Sequence, residues 1–146
     1  MAAAPALRSY EGSCHCGALE FTYETRRAPR AWVVQACQCG FCRGHGSLAT
    51  ADPAGVVQFR YVYPDRLRRY RFGLRTADYL LCRECGVCIA AVLMTGSGAV
   101  ASIHVNTLRE RPRGLATARP QSCRPETVEV RRARRRDGWT PVFGPV

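Results

Sequence analysis

Seven of the nine cysteines in this chain stand in three tight groups, Cys14-x-Cys16, Cys37-x-Cys39-x-x-Cys42 and Cys82-x-x-Cys85, separated by 20 and 39 residues. That spacing constrains the fold more than any other feature, because thiolates so placed converge on one ion when each group sits in a tight turn. Gly17 follows Cys16 and Gly86 follows Cys85, and glycine there eases the backbone into a knuckle whose amides face the sulfurs. A disulfide framework is the competing arrangement. It suits small secreted domains, whereas Met1 to Leu7 lack the basic leader and long apolar stretch of a secretion signal, and the cysteine count is odd. A lone redox CxxC motif would leave the other five clustered cysteines unexplained.

Zinc is the natural ion for such a set, since it accepts sulfur in tetrahedral geometry and brings no redox chemistry; an iron-sulfur cluster is the alternative. Seven thiolates divide most simply as four plus three. The CxC and CxxC pairs can close a four-sulfur structural site, and the CxCxxC turn then holds a second zinc with one position open, as catalytic zinc requires. Spacing alone does not fix this pairing. His45, three residues after Cys42, is a further donor that would close the second site. His15 is expected to point away from the metal between two ligands, and His104 sits in an apolar stretch that suits a core histidine. Cys88 and Cys123 fall outside the knuckles, and Cys88 suits the role of a small buried residue.

The chain has 146 residues, 47% of them hydrophobic, enough for one compact core. The expectation is a single zinc-binding domain over 1–146, with a core at about 10–108 and an Arg-rich C-terminal segment, 109–146. No apolar run approaches the roughly 20 residues of a membrane span. A cytoplasmic location is the default. All 22 basic residues are arginine against 11 acidic residues, and ten of the arginines lie between Arg109 and Arg136. Such a cluster can hold carboxylates or phosphates, or can simply be a solvated basic strand. The charge is weak evidence for a nucleic-acid partner.

Secondary-structure cues are mostly β. Strand-like segments recur at Ala18–Glu24, Ala31–Ala36, Val56–Tyr63, Arg68–Phe72, Asp78–Leu81, Val87–Met94, Ala99–Val105 and Thr127–Arg134, punctuated by Gly, Pro and Asp. No window shows a long amphipathic helical period, and the strongest helical cue is Asn106 or Thr107 capping a short turn through Leu108 and Glu110. Residues 111–125 read as a loop crossing to a last strand.

The order Gly12-Ser13-Cys14-His15-Cys16-Gly17-Ala18, then Cys37-Gln38-Cys39-Gly40-Phe41-Cys42-Arg43 with Gly46-Ser47, then Tyr70-Arg71-Phe72-Gly73 and Cys82-Arg83-Glu84-Cys85-Gly86-Val87 resembles the glutathione-dependent formaldehyde-activating enzyme family, which includes centromere protein V. The resemblance runs from about Tyr10 to Leu108. It implies a β-tent fold, a structural zinc on Cys14, Cys16, Cys82 and Cys85, and a catalytic zinc on Cys37, Cys39 and Cys42. It also implies condensation of glutathione with formaldehyde to S-(hydroxymethyl)glutathione, a carbon-sulfur lyase activity run in reverse. Gln38, where many relatives carry histidine, and Cys88, where an aromatic residue is commoner, depart from the pattern. The partners so implied are a small thiol and an aldehyde. Arg43, beside the ligand turn, is a candidate for holding a glutathione carboxylate, and Glu84 and His45 are candidate general bases by proximity. A same-fold enzyme with another thiol or aldehyde, or a zinc-stabilised binding module with an Arg-rich surface for an acidic partner, are the other function classes.

Overall fold

The computed structural model describes residues 2–146. The chain is mostly β, as the sequence predicts. Its strands are β1 (Arg8–Ser13), β2 (Leu19–Thr25), β3 (Gln35–Cys37), β4 (Ala49–Thr50), β5 (Val56–Tyr61), β6 (Leu67–Tyr70), β7 (Asp78–Cys82), β8 (Cys88–Thr95), β9 (Gly98–His104), β10 (Arg119–Gln121) and β11 (Thr140–Pro141). Two α-helices interrupt them, α1 (Gly40–His45) and α2 (Val128–Gly138).

The strands form two sheets. The smaller has the order β1-β2-β5, all antiparallel; the larger has the order β10-β3-β4-β9-β8-β7-β6, with β11 sharing an edge of β9 with β4. Alternation explains the smaller sheet: Leu19, Phe21, Tyr23 and Thr25 of β2 and Val57 and Phe59 of β5 are buried, while their neighbours face outward. Cys88 to Leu93 of β8 are buried without a break, the pattern of a strand covered on both faces. The two sheets pack Phe21, Tyr23 and Phe59 against Leu80, Ile89, Val92 and Ile103 in one core. Each large side chain so buried contributes about 1.5–3 kcal/mol.

Three links hold the sheets together. Gly12 bridges to Leu108, and Arg109 N–H donates to the Glu11 carbonyl at 2.9 Å. Val142 bridges to Val57, while its N–H donates to the Ala99 carbonyl on the other sheet at 2.9 Å. The third link is the pair of cysteine turns described below. Gly12 is required where it stands, because the Phe21 ring of the paired strand fills the space a Cβ would take.

Two sequence-based expectations are overturned. Thr127–Arg134 is a helix and not a strand: Thr127 Oγ1 accepts from Val130 N–H at 3.2 Å as an N-cap, and α2 then runs through five arginines and an alanine, strong helix formers that outweigh Val128 and Val130. Residues 111–125 are not wholly loop, since Arg119–Gln121 pairs in parallel with β3. The turn expected to be capped by Asn106 or Thr107 starts two to three residues earlier, as a 3₁₀ turn over Val105–Thr107 with His104 at its N-cap position. Among the described residues, no helix is long and apolar enough to cross a membrane.

Candidate metal centres

The β1–β2 and β7–β8 turns each carry two cysteines and end on a glycine in the left-handed region, Gly17 at φ 82° and Gly86 at φ 78°. Nothing lies where a Cβ would go at either glycine, so the backbone conformation and not crowding selects it. Cys14 N–H donates to Leu19 carbonyl at 2.9 Å and Cys82 N–H to Val87 carbonyl at 3.0 Å, closing two matching knuckles. They meet head to head. The four sulfurs of Cys14, Cys16, Cys82 and Cys85 lie within 4.8 Å of one another, with Cys16 Sγ 3.7 Å from Cys14 Sγ and 3.5 Å from Cys82 Sγ. One turn belongs to each sheet, so the group spans the seam between them.

Amides do face the sulfurs. Leu19 N–H donates to Cys14 Sγ at 3.3 Å. Burial raises the Cys85 thiol, but donation from the Val87 and Cys16 amides and from neighbouring thiols prevails and brings it down to about 6. Burial pushes Cys14 up to about 12. Four soft donors so close together are the donor set of a tetrahedral thiolate site, where a cation replaces the thiol protons. The group could hold zinc.

The second group forms where β3 runs into α1. Cys37 ends the strand, Cys39 caps the helix by accepting Cys42 N–H at 3.3 Å, and Cys42 is buried one turn in. The helix stops at Gly46, whose φ of 60° and N–H to the Arg43 carbonyl close its end. Sequence spacing suggested a tight turn, and a six-residue helix supplies it. The three sulfurs lie within 4.8 Å of one another. The Cys42 thiol, donating to Cys37, lowers Cys37 to about 5 against the opposing effect of burial, and the same bond with burial raises Cys42. Three sulfurs sharing protons in this way also suit a thiophilic cation.

Aromatic rings flank this group. Phe41, on α1 beside Cys42, packs on Tyr79 and Phe72 at 4.9 Å each and on Tyr70 at 5.5 Å, with Tyr70 and Tyr79 paired across β6 and β7. Phe41, Tyr70 and Phe72 stand in the motifs quoted above without an assigned role, and Tyr79 has no such motif signal. His45 packs on Phe41 with tilted rings 4.4 Å apart and lies outside the sulfur group, so it is not one of the clustered donors. Arg43 is exposed, and among the described residues its side chain has no hydrogen bond or ion pair. Glu84 is exposed in the turn between β7 and β8, beside Cys85 of the four-cysteine group. His15 is exposed. His104 is a core residue, its Nδ1 2.9 Å from the Cys88 carbonyl and its pKa lowered to about 4 by burial. Cys88 is buried and donates to the Ala90 carbonyl at 3.8 Å.

The model of the glutathione-dependent formaldehyde-activating enzyme family matches residues 9–129. The chain belongs to that family. Both cysteine groups lie inside the matched span, and all but the first two residues of α2 lie beyond it. The crystal structure of a Rhodobacter sphaeroides protein is similar, with a TM-score of 0.58 and 29% sequence identity over 76% of this chain and 99% of that one. Comparison with curated proteins gives no match.

The arginines of α2 are largely engaged within the molecule. Arg134 makes two bonds to Glu126 at 2.9 and 3.0 Å, Arg132 donates to the Met94 carbonyl, and Arg135 donates to Thr76 while its guanidinium covers the Trp139 ring at 4.8 Å. These contacts tie α2 to the fold, while Arg132, Arg134 and Arg136 stay exposed and no residue of the helix is buried.

Proposed function

We propose that the chain is a zinc-dependent carbon-sulfur lyase-type enzyme that joins glutathione and formaldehyde to S-(hydroxymethyl)glutathione, working in the cytoplasm, where thiols stay reduced. The observation that carries this reading is the three-cysteine group at the β3–α1 junction, inside the span that matches the family. In it, Cys37, Cys39 and Cys42 hold the catalytic zinc and Cys14, Cys16, Cys82 and Cys85 the structural one, on a β-tent scaffold.

Bound zinc supplies a charge that favours a thiolate over a thiol at neutral pH, where a free thiol with a pKa of roughly 8.5 is only a few per cent ionised. The rest of the chemistry is placement. The capping bond from Cys42 N–H to Cys39 Sγ ties these two residues together across the first turn of α1. Arg43, exposed beside that frame and free of internal partners among the described residues, takes a glutathione carboxylate. The Phe41, Phe72 and Tyr79 rings shield one side from water. The glutathione sulfur then attacks the aldehyde carbon, a carbon-sulfur bond forms, the carbonyl π pair moves to oxygen, and the thiol's proton ends on that oxygen. No electron is gained or lost overall.

The test is the rate of S-(hydroxymethyl)glutathione formation by exchange NMR with purified protein, using Cys39→Ser as control. Acceleration that Cys39→Ser abolishes supports the reading. An uncatalysed rate with formaldehyde, but thiol-dependent turnover of another aldehyde, would keep the enzyme class and replace the substrate.

A further inference from the structure

Next to Cys42 on α1 begins a cluster of five aromatic rings that has no part in the core between the sheets. Phe41 has His45 at 4.4 Å, four residues on along the same helix face, and meets Tyr79, Phe72 and Tyr70 of the β6–β7 hairpin at 4.9, 4.9 and 5.5 Å. Phe72 in turn lies 4.9 Å from Tyr79 and 5.6 Å from Tyr70. Leu80 enters the core, so Tyr79 and its cross-strand partner Tyr70 stand on the opposite face of the sheet. Strands β4, β9 and β8 separate β3 from this hairpin, and the rings meet α1 across that face.

The hairpin is braced in this arrangement. Arg71 Nε donates to Asp78 across the mouth of the β6–β7 loop, and Arg75 N–H donates to the Phe72 carbonyl at 2.9 Å, closing a turn. Arg75 has φ 56°, the one non-glycine residue in the left-handed region among the described residues. Such strain persists where surrounding contacts over-determine it, and it gathers at ligand clamps. The rings themselves stay open to solvent: Phe41, Phe72 and Tyr79 are half-buried, and His45 and Tyr70 are exposed. A contiguous aromatic surface left open beside a reactive group suits a ligand, and one built of π faces suits a flat, conjugated one. Formaldehyde carries only hydrogen on its carbon and leaves this surface unused.

We propose that Phe41, His45, Tyr70, Phe72 and Tyr79 form a substituent subsite beside the three-cysteine centre, and that it takes aldehydes whose carbonyl bears a flat aryl group as a second substrate class. The thiol sulfur attacks the carbonyl carbon, the π pair moves to oxygen, and the thiol's proton ends there, giving the aryl hemithioacetal with no change of oxidation state. That reaction rests on the function proposed above. Binding of an aryl group by the rings does not.

The experiment titrates the zinc-loaded full chain with benzyl alcohol and with cyclohexylmethanol, unreactive probes of equal carbon count, and follows the aromatic carbon-proton correlations by NMR. Benzyl alcohol should shift the Phe41, Tyr70, Phe72 and Tyr79 rings and bind about fivefold more tightly than its saturated counterpart, the scale of one or two aromatic pairings. Phe72→Leu and the exposed Tyr70→Leu should each reduce that preference, whereas Phe143→Leu, an exposed ring against the other sheet, should leave it unchanged. With glutathione present, benzaldehyde should then turn over with a higher kcat/KM than cyclohexanecarbaldehyde. Equal binding of the two alcohols, shifts centred on other rings, or a preference that survives both ring substitutions overturns the proposal. Glutathione alone shifting the same rings and displacing benzyl alcohol would assign the surface to the thiol, and overturns it too. Ring binding without turnover of any aldehyde would sink the proposed activity and leave the subsite standing.

Discussion

The two cysteine groups use the same side chain and sit in opposite mechanical settings. Cys14, Cys16, Cys82 and Cys85 come from two hairpin turns on two different sheets, so whatever joins these sulfurs also joins the sheets. Cys37, Cys39 and Cys42 come from one strand end and one short helix at the margin of a single sheet, and joining them tightens only that junction. The lesson is that the two groups differ in more than their number of sulfurs: one set ties together two sheets and the other a single junction.

The largest effect should follow from breaking the seam. Cys85→Ser leaves three sulfurs across two sheets, and structural zinc sites carry about 10–16 kcal/mol of apparent binding energy, as much as the whole stability of an ordinary domain. The expected outcome is loss of the cooperative thermal transition in circular dichroism and loss of all bound metal. Cys39→Ser should instead remove one metal equivalent and the enzymatic rate. Serine is itself a favoured N-cap, so α1 keeps its cap and the melting transition should change by about 1 kcal/mol or less. Equal unfolding by both substitutions would erase the contrast between the regions.

A smaller effect comes from the core between them. His104 is buried with its folded-state pKa lowered to about 4, so the unfolded chain binds its proton more readily. Its contribution to stability is complete above about pH 6.5 and is lost as pH falls towards 4, about 3 kcal/mol in all. Urea unfolding at pH 7 and pH 5 should show the decline, and His104→Gln should flatten it. The smallest effect belongs to the knuckle glycine. Gly86→Ala forces a Cβ into the left-handed region in open space and should cost about 1–2 kcal/mol without releasing metal.

Strands β2, β5, β7 and β8 were legible because β2, β5 and β7 alternate buried and exposed residues and β8 is a continuous apolar run, whereas the strand expected from Ala31 begins only at Gln35 and the two-residue β4 carried no such cue. The knuckles were legible through Gly17 and Gly86. Helix α2 was not, because Val128 and Val130 look like strand residues and its stabilising partners, Thr76 and the Trp139 ring against Arg135, are set by tertiary contact. Strand β10 was hidden for a related reason: Pro120 lies within it, and only its pairing with β3 at the sheet edge makes it a strand.

The most direct test of the contrast is the number of zinc ions per purified chain and how each leaves. Elemental analysis of reduced protein, before and after incubation with a chelator and with glutathione, should find two zincs, one removed readily with the fold intact and one released only on unfolding. Two zincs that leave together, or neither leaving until the protein unfolds, would contradict the account.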